Sequence, residues 1–122
     1  MRVFIADDSE VVAERLKAML LELPEIEIVG QARDAPEATK SILGLQPDVV
    51  ILDIRMPTGS GIEGLREIKQ RKTAPTVIML TNYPYPQYRK RCLDAGADFF
   101  FDKASEVHKV MEVLKQIAQD SS

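Results

Sequence analysis

Cysteine occurs once in this chain, at Cys92, histidine once, at His108, and tryptophan not at all. A lone cysteine excludes an internal disulfide framework. One histidine and one cysteine leave almost no material for a zinc site or for Ser/His or Cys/His nucleophilic catalysis. An excess of positive charge is also missing. Lys and Arg number 16 against 19 Asp and Glu, a net charge of −3 with a pI near 5.2. That balance gives no electrostatic footprint for nucleic acid, so no nucleic-acid binding is expected of this chain alone. No apolar run approaches the roughly 20 residues of a membrane span. Met1 leads directly into a strand-like segment with no signal peptide, so the expectation is no membrane contact and a cytoplasmic location. What is present is an ordinary globular composition, 45% hydrophobic and 29% charged over 122 residues. Residues 1–122 read as one domain with no effector domain in this chain.

The informative stretch runs from Pro47 to Pro57, PDVVILDIRMP. Val49 to Leu52 is short, apolar and β-branched, which suits a strand covered on both faces of a parallel sheet. Asp53 stands at its carboxyl end, and Pro57, Gly59, Ser60 and Gly61 turn the chain at once. Ligands and chemistry in open α/β sheets collect outside the carboxyl ends of the strands.

The remaining chain alternates. A strand at Arg2–Ala6 ends on Asp7-Asp8-Ser9, and Val12, Leu16, Met19, Leu20 and Leu23 then form one helical stripe that Asp8 or Ser9 can cap and Pro24 stops. A second strand spans Glu25 to Ala32. Asp34 can cap a second helix carrying Ala35, Ala38, Ile42 and Leu45 on one face. Ile62, Leu65 and Ile68 mark a third helix to about Lys72, and Thr76–Leu80 a fourth strand ending on Thr81. A fourth helix begins near Pro86 and ends at Ala95-Gly96, where glycine suits a left-handed cap. Ala97–Phe101 is a fifth strand, followed by Asp102-Lys103. Val107, Val110, Met111, Leu114, Ile117 and Ala118 define the last helix, and Asp120-Ser121-Ser122 should fray. Five strands alternating with five helices predict a doubly wound α/β fold with a parallel sheet.

In such a sheet Asp7, Asp8, Asp53, Thr81 and Lys103 all fall at one edge. Two unit charges about 4 Å apart interact by roughly 4 kcal/mol at an effective dielectric near 20, so three carboxylates there require compensation. Lys103 offsets one charge and a hard divalent cation could offset more. Oxygen donors suit magnesium, which keeps several waters and uses one or two carboxylates with phosphate oxygens. With a hydroxyl and an ammonium beside it, the set fits phosphoryl transfer to Asp53 as an acyl phosphate.

On these residues the sequence resembles the receiver domain of bacterial two-component response regulators, the CheY-like family, over essentially its whole length. The resemblance rests on Asp7-Asp8 after the first strand, Leu52-Asp53-Ile54-Arg55-Met56-Pro57 with Gly61, Thr81 after the fourth, and Ala95-Gly96-Ala97-Asp98 leading to Lys103. It implies the flavodoxin/CheY-like strand order 2-1-3-4-5, with Asp53 as phosphoacceptor. It further implies Mg2+ held by Asp8 directly, by Asp7 mainly through water, by Asp53 and by the backbone carbonyl of Arg55. Thr81 and Lys103 would bind the phosphoryl group, and Phe100 would follow Thr81 inward as the switch aromatic. The implied partners are a sensor histidine kinase or phosphotransfer protein. The implied role is a phosphoacceptor signalling domain, not an enzyme, that assists its own phosphorylation and dephosphorylation.

Three departures stand out. Ala104 replaces the proline, often in a cis peptide, that commonly follows the lysine, which leaves that loop's geometry open. Phe100 lacks the hydroxyl of the commoner tyrosine. Asn82 is bulkier than the usual small residue, and with Tyr83 and Arg55 it is expected to crowd the path of attacking water and slow dephosphorylation.

Each residue alone has a plainer reading. Asp7-Asp8 could cap a helix, Asp53 could serve a turn, Thr81 could be a strand-end hydroxyl, and Lys103 beside Asp102 a solvated pair of little worth. Their combination carries the function. Tyr83, Tyr85 and Tyr88 lie near the face of the fourth helix, fifth strand and fifth helix, a possible homodimer interface, although rings covering the core is the somewhat better reading. His108 is expected in solvent, Cys92 inside a helix, and Arg89-Lys90-Arg91 on one exposed turn. Three rival classes fit less well. A receiver-like interaction module without chemistry would not need the complete residue set. A flavin- or nucleotide-binding domain would want a glycine-rich loop where Asp7-Asp8-Ser9 stands. An aspartyl phosphatase would want a general acid where Arg55 stands.

Overall fold

The computed structural model describes residues 1–120. Strands β1 (Arg2–Ala6), β2 (Glu27–Ala32), β3 (Val49–Leu52), β6 (Thr76–Thr81) and β7 (Phe99–Asp102) form one sheet in the order β2-β1-β3-β6-β7. Every pairing in it is parallel. This is the 2-1-3-4-5 order of the flavodoxin/CheY-like fold. Two short strands, β4 (Arg55–Met56) and β5 (Gly59–Ser60), form a separate antiparallel ribbon right after β3. Helices α1 (Glu10–Leu20), α2 (Ala35–Leu45), α3 (Gly61–Lys69), α4 (Pro86–Asp94) and α5 (Val107–Asp120) complete the chain.

Alternation along each strand splits the core into two layers. Phe4, Val50, Leu52, Val77, Met79 and Phe100 meet α2, α3 and α4 on one face. Val3, Ile5, Val49, Ile51, Ile78 and Leu80 meet α1 and α5 on the other. Both faces being covered explains why the central strands read as continuous apolar runs rather than alternating ones.

Local chemistry sets the helix ends. Ser9, Asp34 and Ser60 each accept a backbone N–H at a helix start, so Ser9 and not Asp8 caps α1. Gln46 closes α2 in the left-handed region (φ 50°), and Arg2 Nη1 donates to Leu45 O (2.7 Å) and Gln46 O (3.0 Å), satisfying carbonyls the helix leaves free. Gly96 (φ 106°) takes the left-handed position after α4.

Several boundaries differ from the sequence reading. Strand β2 starts at Glu27 rather than Glu25, and α3 stops at Lys69 rather than near Lys72. Strand β7 starts at Phe99 rather than Ala97, because Asp98 is used as a tie. Its Oδ2 accepts from Val77 N (2.8 Å) and Lys69 Nζ (2.8 Å). Asp120 closes α5 as its last helical residue, while the fraying expected of Ser121 and Ser122 lies outside the described residues.

Candidate functional site

The carboxyl ends of β1, β3, β6 and β7 lie on one edge, and each delivers a polar side chain there. Asp53 follows β3 directly, its backbone N–H donating to Ala6 O at 3.0 Å, so β1 and β3 fix its position together. Its carboxylate is nearly buried (4% exposed). Oδ1 accepts from Ile54 N (2.7 Å) and Oδ2 from Lys103 Nζ (3.0 Å). Asp7 is as deeply placed. Its Oδ2 lies 2.6 Å from the same Nζ, and its Oδ1 accepts from Ser9 N at 2.8 Å. Lys103 therefore bridges two carboxylates, while Asp8 is exposed at the mouth.

The electrostatics follow from burial and this bridging. Burial raises Asp53 above the usual carboxylate value, against the pull of Lys103. Burial works against the Lys103 charge, but bonds and attraction to Asp7 and Asp53 outweigh it, so the ammonium is held above its ordinary value. Lys103 stays charged, and the Asp53 carboxylate is harder to ionise than an ordinary one.

The lysine is braced from the next turn. Lys103 N donates to Thr81 O (2.8 Å), Asp102 N to Glu106 Oε1 (3.0 Å), and Ala104 N to Asp102 Oδ1 (2.9 Å). The described residues contain no cis peptide. Ala104 thus supplies an N–H that proline could not, which closes the question its presence raised.

Thr81 is fully buried, and its Oγ1 accepts from Tyr83 N at 3.0 Å. Phe100 is already inside, 5% exposed in the core layer beneath α4, with the Arg89 guanidinium 5.7 Å from its ring. Arg55 is exposed on β4. Its guanidinium carbon lies 4.2 Å from the Tyr83 ring centroid, and its Nη2 donates to the Tyr88 hydroxyl at 3.1 Å. That hydrogen bond raises Arg55 further above its already high value. Tyr83 and Tyr88 therefore turn toward Arg55 and are half-buried. Of the three tyrosines expected at the helix-four face, only Tyr85 is largely free, 50% exposed.

Carboxylate oxygens of Asp7, Asp8 and Asp53 lie within 4.8 Å of one another, one per residue. Three hard oxygen donors with one exposed member fit a hard divalent ion that keeps part of its water shell.

The family model of the response regulator receiver domain matches residues 3–115. The chain belongs to this family. It is a receiver domain of two-component response regulators. It is 38% identical over 122 residues to a protein-glutamate methylesterase/protein-glutamine glutaminase of Alkalilimnicola ehrlichii, covering 98% of this chain and 31% of that one. It is 33% identical over 116 residues to the chemotaxis protein CheY of Halobacterium salinarum, covering 95% of both. Among solved structures, the receiver domain of NarL from Mycobacterium tuberculosis superposes with a TM-score of 0.87 at 25% identity, over 97% of this chain and 95% of that one. The chain spans 31%, 58% and 34% of the length of the first three curated relatives.

Two features of this receiver escaped the sequence. The β4–β5 ribbon has strands of two residues each, too short for any periodicity to register. The Arg55–Tyr88 bond joins residues 33 positions apart, and nothing local to either signals it. The remaining expectations are simpler. His108 is exposed, and Cys92 is buried, which pushes its thiol up to about 11 and leaves it unreactive. Among the described residues no helix is long and apolar enough to cross a membrane.

Proposed function

We propose that Asp53 accepts a phosphoryl group from a phosphohistidine of a sensor kinase or phosphotransfer protein, or from a small acyl phosphate. In that step the donor's bond to phosphorus breaks, an Asp53 carboxylate oxygen bonds to phosphorus, and the leaving imidazole or acetate departs with its electron pair. The observation that carries this reading is the buried Asp53 carboxylate bonded to Lys103 at 3.0 Å, with Asp7 and Asp8 oxygens clustered beside it. Asp8, Asp53 and the Arg55 carbonyl would hold Mg2+, with Asp7 acting mainly through water. The ion would supply charge neutralisation on the phosphoryl oxygens. Lys103 keeps its charge beside the acceptor, and Thr81 lies one bond from the same edge, its hydroxyl able to leave Tyr83 for a phosphoryl oxygen. These groups would assist both phosphorylation and hydrolysis.

Output is read here as a change in protein binding. Tyr85 and Leu93 (50% and 41% exposed) leave the α4–β7–α5 side as the candidate surface for a second copy or another partner. Membership of the receiver family also supports a cytoplasmic setting. The test is intact-mass spectrometry after incubation with acetyl phosphate and magnesium, beside Asp53→Asn and a chelator. A single phosphoryl adduct that disappears in both controls is expected; persistence of the adduct in Asp53→Asn would sink the assignment.

A further inference from the structure

We infer that the Arg55 side chain is a third phosphoryl-binding group of this receiver, held away from the acceptor by Tyr88 and Tyr83 until Asp53 is modified. The inference rests on the proposal that Asp53 is the acceptor. Arg55 stands two residues beyond Asp53, on the β4–β5 ribbon that opens the loop after β3. In the unmodified chain its guanidinium has two neutral partners, the Tyr88 hydroxyl at 3.1 Å and the Tyr83 ring at 4.2 Å. No carboxylate lies within ion-pair distance of it among the described residues, so its charge is parked on aromatic groups beside an acidic site.

Phosphorylation reverses that preference. A carboxylate already shared with Lys103 is replaced by an acyl phosphate of greater negative charge, with three more acceptor oxygens. Charge-assisted bonds of guanidinium to phosphate are roughly twice as strong as neutral ones and can be bidentate. A bond to a phenol in solvent-facing surroundings is the weaker competitor. Arg55 thus leaves Tyr88, a residue of α4, and the one direct side-chain bond between the acceptor loop and that helix is released.

Tyr83, whose ring lies under the guanidinium, also donates its backbone N–H to Thr81 Oγ1. The two groups that seek the phosphoryl, the Thr81 hydroxyl and the Arg55 guanidinium, therefore both touch this residue. Phe100 is buried and carries no hydroxyl, so the aromatic side chain has no exposed position to leave. The route from Asp53 to α4 runs through Arg55 and Tyr88, with Tyr88 acting as a positioning residue.

The chain has no tryptophan and its three tyrosines are Tyr83, Tyr85 and Tyr88, so a Tyr83→Phe/Tyr85→Phe protein reports on Tyr88 alone by its intrinsic fluorescence. Emission is recorded before and after acetyl phosphate and magnesium, with the adduct counted by intact mass in the same samples. The expected result is that phosphorylation shifts the Tyr88 emission to the level of the unphosphorylated protein that also carries Arg55→Met. Further phosphorylation of the Arg55→Met protein should shift it little. A full adduct with unchanged Tyr88 emission, or an equal shift with and without Arg55, would overturn the inference and leave the acceptor assignment standing. Absence of any adduct would overturn both.

Discussion

Lys103 carries two carboxylates on one ammonium, and that sharing makes it the most consequential single residue for the stability of the site. Asp7 and Asp53 are both nearly buried, so removing the lysine leaves two close charges without compensation. Breaking a buried pair in this way costs about 3 kcal/mol, and Lys103→Met is expected to lose that amount in urea unfolding at pH 7. The sign of the pH dependence follows from the shifts. Lys103 is raised above 10.5, so its contribution is complete below that pH and lost as pH rises through its folded value. Asp53 is raised above 3.8, so its ionisation costs stability as pH rises through its own folded value. The deficit of Lys103→Met should therefore be full between the folded values of Asp53 and Lys103 and shrink as pH falls through the Asp53 value. A deficit that grows on acidification would contradict the bridging role. Asn82 is exposed next to Thr81, beside Tyr83 and its stacked Arg55. If these side chains obstruct attacking water, Asn82→Ala shortens the lifetime of phospho-Asp53, followed by mass spectrometry after donor removal; an unchanged lifetime disposes of the idea.

At the scale of elements, two glycines make opposite predictions. Gly61 opens α3 where the chain folds back on the acceptor, its N–H donating to Ile54 O at 2.7 Å. A Cβ there would collide with the Asp53 carbonyl oxygen, which is backbone and has no room to yield. Gly61→Ala should therefore destabilise the fold and, in what remains folded, slow adduct formation by displacing Asp53. Gly44 lies within α2, exposed, with nothing within 4 Å of a built Cβ. Gly44→Ala should stabilise by about 0.5–1 kcal/mol through helix propensity and leave phosphorylation unchanged. Thermal melts and the mass assay on the two variants separate a glycine required by close approach from one that is merely tolerated.

For the whole molecule, the parallel sheet concentrates acidic charge at one edge, where Asp7, Asp8 and Asp53 could hold a divalent cation. An ion that binds the folded state alone stabilises it by mass action. Magnesium should raise the melting temperature of the wild type, EDTA should reverse the gain, and Asp8→Ala should remove most of it. An equal rise in Asp8→Ala would place the binding ions elsewhere.

The periodic signals were readable because both faces of the sheet are buried by amphipathic helices, so burial repeats at 3.6 residues in one element type and runs unbroken in the other. Strand ends were readable too, and with them Asp7, Asp8, Asp53, Thr81 and Lys103, since a parallel sheet forces alternate elements to finish on one edge. Sequence by itself therefore determined the fold, the family and the membership of the acidic cluster. Tertiary structure decided which charges pair, because Lys103 reaches Asp7 and Asp53 across 96 and 50 positions and no local pattern encodes that choice. It also decided where the tyrosines face. Local spacing placed all three near one face and slightly favoured rings covering the core, as Tyr88 partly does. The contacts of Tyr83 and Tyr88 with the guanidinium of Arg55 on the β4–β5 ribbon were set by the fold. A cation above an aromatic ring and a hydrogen-bonded phenol are through-space contacts, and only the folded chain brings them together.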